Sequence, residues 1–169
     1  MSQSNLFYRR SAFAGMLLSI ALFISGCCKE EVPALSAQQP DRLTWVSYTH
    51  PTLPYSLRYP NLFNAEEEKA GSVFFRYGCG VPVVVRFHDE KEGRRRGAWF
   101  GHESVGDIQL NNRAGKKYIY EHQEGPFSTR TVAYVVAYRG KFLGLEFRTP
   151  GELNDVQKRI FDSFTLPAE

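Results

Sequence analysis

The sequence predicts an α+β domain: an antiparallel sheet of about six strands, laid out as a meander of hairpins, with a C-terminal helix packed on it. Two observations carry this. Short apolar, β-branched and aromatic runs recur between glycine- and asparagine-containing turns from Leu43 to Phe147. After Thr149-Pro150-Gly151 the period changes, and Leu153, Val156, Ile160, Phe161 and Phe164 recur at helical spacing. No internal repeat is visible, which sets aside solenoids and propellers.

The elements follow in chain order. A first strand is expected near Leu43–Tyr48, and Tyr55-Ser56-Leu57-Arg58-Tyr59 alternates before stopping at Pro60. Asn61–Gly71, with Leu62 and Phe63 ahead of Glu66-Glu67-Glu68-Lys69, reads as a short N-terminal helix or a loop. Ser72–Tyr77 and Val81–His88 flank Gly78-Cys79-Gly80, a hairpin signal. Glu90–Gly101 breaks the pattern with three glycines and a basic cluster and reads as a long loop. Asp107–Leu110 and Lys116–His122 flank a second turn at Asn111–Gly115. Thr129–Tyr138 and Lys141–Phe147 flank Arg139-Gly140, the clearest hairpin, whose near-continuous apolarity predicts a central place covered on both faces. The final helix is expected to stop by Pro167.

Ahead of this domain lies a different kind of sequence. Met1–Arg10 carries Arg9 and Arg10 and no acid, and Ser11–Ile24 is an almost unbroken apolar run. That order reads as a secretory signal, and the run falls short of the ~20 residues that a bilayer-spanning helix needs. It ends in Ile24-Ser25-Gly26-Cys27, small residues followed by a cysteine. This resembles the lipobox of bacterial lipoproteins. The resemblance implies cleavage before Cys27, acylation of its sulfur with diacylglycerol and palmitate-type chains, and residence at the cell membrane or outer membrane with the domain facing the periplasm. Two or more acyl chains hold a protein stably on a bilayer, at ~0.8 kcal/mol per buried methylene. Cys28, directly after the acceptor, is not the Asp that favours inner-membrane retention in enterobacterial lipoproteins, so outer-membrane delivery is allowed.

The expected organisation is therefore a signal over 1–26, a lipidated cysteine and flexible tether over 27–42, and a domain over 43–169. Lys29–Asp41, with Glu30, Glu31, Pro33 and Pro40 and few large apolar residues, is too polar to fold alone. Removing the two leader arginines from 21 basic residues leaves 19 against 18 acidic ones. A near-neutral domain offers no general field for nucleic acid, which is not an expected partner. Cys28 and Cys79 are the one pair left for a disulfide; bridged or separate, both readings stay open.

The order of the segments also resembles the PsbP and Mog1-like superfamily: Tyr55–Pro60, the hairpin ending near Tyr120, the Tyr134–Phe147 hairpin and the closing Ile160-Phe161-Asp162-Ser163-Phe164. Asn61-Leu62-Phe63 stands where that family has Gly-Trp. The resemblance implies an antiparallel sheet flanked by helices, in proteins that mostly act by docking. It transfers no function by itself.

Five residues form the candidate binding loop: Arg94, Arg95 and Arg96, followed by Trp99 and Phe100. Clustered guanidiniums grip phosphate or carboxylate, and a neighbouring aromatic pair can enter a membrane interface or a partner's pocket. The partners expected are an envelope protein or an anionic lipid or glycolipid. Against this, Asp89, Glu90 and Glu92 lie close enough to neutralise the cluster.

No cofactor or metal is expected. His50, His88, His102 and His122 lack paired ligand spacing. Gly101-His102-Glu103-Ser104-Val105-Gly106 gathers Ser, His and Glu, but a histidine stands where a nucleophile elbow needs its first glycine. Cys79 offers a thiol on a turn with no identified base. No catalytic residue is assigned, and the expectation is a non-catalytic binding or assembly module, with a lipid-anchored hydrolase as the alternative. Tyr118, Tyr120, Tyr134, Tyr138, Phe142 and Phe147 are expected mostly in the core, with a minority lining a groove.

Overall fold

The computed structural model describes residues 39–167 apart from 69, 70, 79, 97, 125 and 126. Among these residues nine strands form two sheets. β1 (Trp45–Thr49) and β2 (Ser56–Pro60) pair as a small antiparallel hairpin. The remaining strands are β3 (Asn64–Glu68), β4 (Ser72–Tyr77), β5 (Gly80–His88), β6 (Ser104–Leu110), β7 (Arg113–Glu124), β8 (Phe127–Tyr138) and β9 (Lys141–Arg148). They make one antiparallel sheet in the order β3-β4-β5-β9-β8-β7-β6. The α+β class and the C-terminal helix agree with the sequence reading.

The meander of hairpins agrees as well. It comes in two runs, β3–β5 and β6–β9, and the second joins the first through its last strand, with Val85 of β5 opposite Leu145 of β9. That places the two most continuously apolar strands at the centre, where both faces are covered. All six positions from Leu143 to Arg148 are buried.

Turn chemistry fixes the hairpins. Asn111 and Asn112 (φ 50° and 62°) and Arg139 and Gly140 (φ 48° and 71°) adopt the paired left-handed conformations of two-residue turns that match strand twist.

Two corrections concern local structure. Asn64–Glu68 is a strand, not a helix: Ala65 packs inward opposite Phe75, and Glu66 reaches Arg76 at 2.5 Å on the solvent side. Pairing with β4 outweighs the helix propensity of the glutamates. Glu90–Arg95 is a helix, α1, within the expected loop, and a 3-10 turn follows at Trp99–Gly101. Asp89 caps α1 by accepting from Glu92 N, with acids in the first turn and arginines in the last. That pattern was legible in the sequence.

The C-terminal helix, α2 (Asp155–Ser163), opens with a capping box in which Asn154 and Gln157 exchange hydrogen bonds. It ends before the expected stop. Phe164 turns to the extended conformation, and Thr165 bridges Ser56 of β2.

One face of the large sheet packs against α2 and the β1–β2 hairpin. Val73, Phe75, Val83, Val85, Leu143, Leu145 and Phe147 meet Val156, Ile160 and Phe164 there, with Tyr55 and Leu57. Pro40–Arg42, read as tether, forms a 3-10 turn seated on this layer: Trp45 Nε1 donates to Pro40 O, and Arg159 pairs with Asp41.

Candidate functional site

Cys27, Cys28 and Cys79 lie outside the described residues. The candidate binding loop is described, apart from residue 97, and it crosses the second face of the sheet as a strap. Arg94 pairs with Glu90 and Arg95 with Glu92, each at 2.7 Å. Arg96 reaches Glu92 at 2.5 Å and Glu68 of β3 at 3.0 Å. Hydrogen bonds from Arg95 and Arg96 pull the Glu92 carboxyl down to about 2. The three guanidiniums thus fasten α1 to itself and to the sheet edge.

The expectation that Trp99 and Phe100 face outward is overturned for Trp99, which is 1% exposed. Its ring lies on Gly144 of β9, where a Cβ would overlap it, and packs among Ala98, Tyr120, Ala133 and Val135. Phe100 is half-buried, edge-on to Phe142 at 5.2 Å and against Gly93. The aromatic pair anchors the strap from within because an indole gains more by leaving water than by standing in it.

Beside this apolar seat the second face also buries polar groups. Arg86 Nε donates to Glu146 Oε1 at 2.8 Å, with side chains only 6% and 3% exposed. Burial, the largest single influence, pulls the guanidinium down, but the charge and hydrogen bond of Glu146, with Tyr120 and Glu68 adding to them, together outweigh it and leave Arg86 above its ordinary value. Arg86 also lies over the Phe74 ring at 5.6 Å. Burial, and then the charge on Glu146, pushes the Tyr120 phenol up. His88 is buried, its Nε2 3.2 Å from Ser72 Oγ; burial and then the Arg86 and Arg96 charges lower its pKa. Arg86 and Glu146 stand 60 residues apart, so sequence spacing carried no sign of the pair.

Beside the strap the same face opens into a groove of about 670 Å³. Val135, Ala137, Phe142 and Tyr118 line it, and Lys116 and Asp107, paired at 2.5 Å, stand at its margin. It adjoins β6, the last strand of the sheet. Tyr118 and Phe142 are thus the groove members of the aromatic set. Tyr120, Tyr138 and Phe147 are buried, and Tyr134 packs half-buried on Phe161 at 4.5 Å.

A second hollow, about 580 Å³, lies among the β1–β2 connection, the Arg139 turn and Thr165–Pro167. There His50 Nδ1 accepts from Thr52 N at 3.1 Å and Leu53 N at 2.9 Å, which leaves the neutral ring's proton on Nε2. Burial lowers its pKa. His102 stacks on Tyr120 at 4.7 Å, Ser104 opens β6 opposite Tyr118, and His122 stands in β7 opposite Thr129. Among the described residues no three His, Cys, Asp or Glu side chains are grouped to hold a metal.

No family profile and no curated protein matches this chain. Solved structures with a similar backbone include one from Bacteroides thetaiotaomicron, at TM-score 0.49 and 11% identity over 73% of this chain. The match spans 48% of that protein, about half its length. The solution structure of cyanobacterial PsbP (CyanoP) from Synechocystis sp. PCC 6803 aligns at TM-score 0.48 and 16% identity, over 74% of this chain and 94% of its own. At these values the likeness is one of backbone arrangement and brings no family or role to this chain.

Proposed function

We propose that this protein is a membrane-anchored cell-envelope lipoprotein, acylated at Cys27, whose domain is a non-catalytic binding module of the PsbP and Mog1-like kind. One observation carries the reading: a basic start, a short apolar run and Ile24-Ser25-Gly26-Cys27 precede a polar stretch that leads into the domain. Docking is supported by the groove beside β6, which has apolar walls and a polar margin. Structural employment of the imidazoles supports it too: His50 braces a loop, His88 bonds Ser72, and His102 stacks on Tyr120.

Metabolic labelling with radioactive palmitate tests the anchor. Label should enter the wild-type chain and be absent from Cys27→Ala, which should also leave the membrane fraction. Unlabelled protein that is exported without a cut before Cys27 would overturn it. Alanine at His102, Ser104 or Cys79 should leave a cellular phenotype intact; its loss in a folded variant would favour the hydrolase.

A further inference from the structure

The two edges of the large sheet differ in charge. β3 presents Glu66, Glu67 and Glu68 in succession; Arg76 pairs with Glu66, Arg96 with Glu68, and the Tyr48 hydroxyl donates to Glu67, so among the described residues the acids of this edge still outnumber the cations bound to them. β6 presents Gly106-Asp107-Ile108-Gln109-Leu110, and its one acid is matched by Lys116 of the neighbouring strand. The outer side of β6 meets no strand among the described residues. A strand edge with unpaired main-chain donors and acceptors is a template for another strand.

We infer that β6 is a self-association edge, where a second copy of this chain adds its own β6 antiparallel and continues the sheet across a two-fold axis. Charge and register select this occupant. Pairing β3 with a second β3 would set glutamates against glutamates, and pairing β3 with β6 would set its acids near Asp107 and propagate without closing. β6 against β6 avoids both. The pairing segment is bounded on one side by a bulge at Val105, between Ser104 and Gly106, and on the other by the Asn111–Asn112 turn. One register pairs all five residues between these limits, the one centred on Ile108. It sets Ile108 against its own copy and Asp107 against Gln109 twice, so no like charges meet.

Asp107 and Gln109 are both exposed and both line the groove, so the paired edges join the two grooves across the axis. The bulge and turn stop the ladder after five residues and close the assembly as a dimer. Such a short pairing lies below the area of a standard stable interface, so the expected Kd is about 0.1–1 mM.

Sedimentation of the full chain in detergent, with cysteine cross-linking, tests this. The chain should shift from monomer towards dimer as its concentration rises to about 1 mM. Asp107→Cys mixed with Gln109→Cys should cross-link above the background of the unsubstituted chain, whereas neither variant alone should. Gln109→Glu, facing Asp107 of the other copy, should loosen the dimer about threefold to tenfold, and Gln109→Lys should tighten it by a similar factor. Both are exposed substitutions that leave the fold intact. A monomer at every concentration, a mixed pair that stays at background, or Glu and Lys variants that move Kd in the same direction would each overturn the inference.

Discussion

The two faces of the large sheet are built on opposite principles. The face under α2 is continuous and apolar, with Val85, Leu145, Val156 and Ile160 each fully buried. Such a face needs only hydrophobic bulk of the right size, and a period-matched helix supplies it. The face with the strap carries a buried ion pair, a buried histidine and a tryptophan seated on a glycine. Its order depends on partners that fit one another in shape and charge. The difference teaches that the first face holds the domain together, whereas the second fixes where the strap and groove lie.

Trp99→Ala should break this contrast most sharply. It removes the ring that seats the strap on Gly144 and should cost about 3–5 kcal/mol in denaturant unfolding, as large aromatic truncations do. A loss below ~1 kcal/mol would mean that the strap is held by its ion pairs instead. Next is Arg86→Met, which strands Glu146 without its partner and should cost about 3 kcal/mol, while Arg86→Met with Glu146→Leu should recover most of the loss. Single and double variants of equal stability would show that the pair is not a coupled unit.

The third prediction uses pH. His88 is lowered from its ordinary value near 6.5 by burial first. The fold therefore favours the neutral ring, whose contribution is full above that value and is lost as the pH falls below it, because the unfolded chain then binds the extra proton. The slope from this one group should not exceed about 1.4 kcal/mol per pH unit. Unfolding measured from pH 7.5 down to about 5 should flatten in His88→Gln; an unchanged slope would move the effect to another group, with His50, lowered in the same direction, the first to test. Smallest is Asn154→Ala on the helix face. It removes one half of the capping box and should cost about 1 kcal/mol, with the second face and its groove untouched. A loss of the groove in that variant would join the two faces into one unit.

Much of this arrangement was legible residue by residue. Alternation and turn chemistry located the β4–β5, β6–β7 and β8–β9 hairpins, and the helical spacing of Val156 and Ile160 located α2. Asp89, Glu90 and Glu92 ahead of three arginines held the signal for α1, although the glycines around them spoke for a loop. The Glu66–Glu68 strand was misread because glutamates favour helix unless a neighbouring strand captures them. Trp99 was misplaced for a related reason: an aromatic beside a charge run reads as exposed until the sheet brings Gly144 beneath it.

Local chemistry settled most of the strands, their turns and the final helix, since each depends on residues within a few positions of one another. The join of β5 to β9, the burial of Trp99, the Arg86–Glu146 pair and the groove were decided only on folding. They depend on residues far apart in the chain whose proximity is set by strand order, and strand order is a property of the whole sheet.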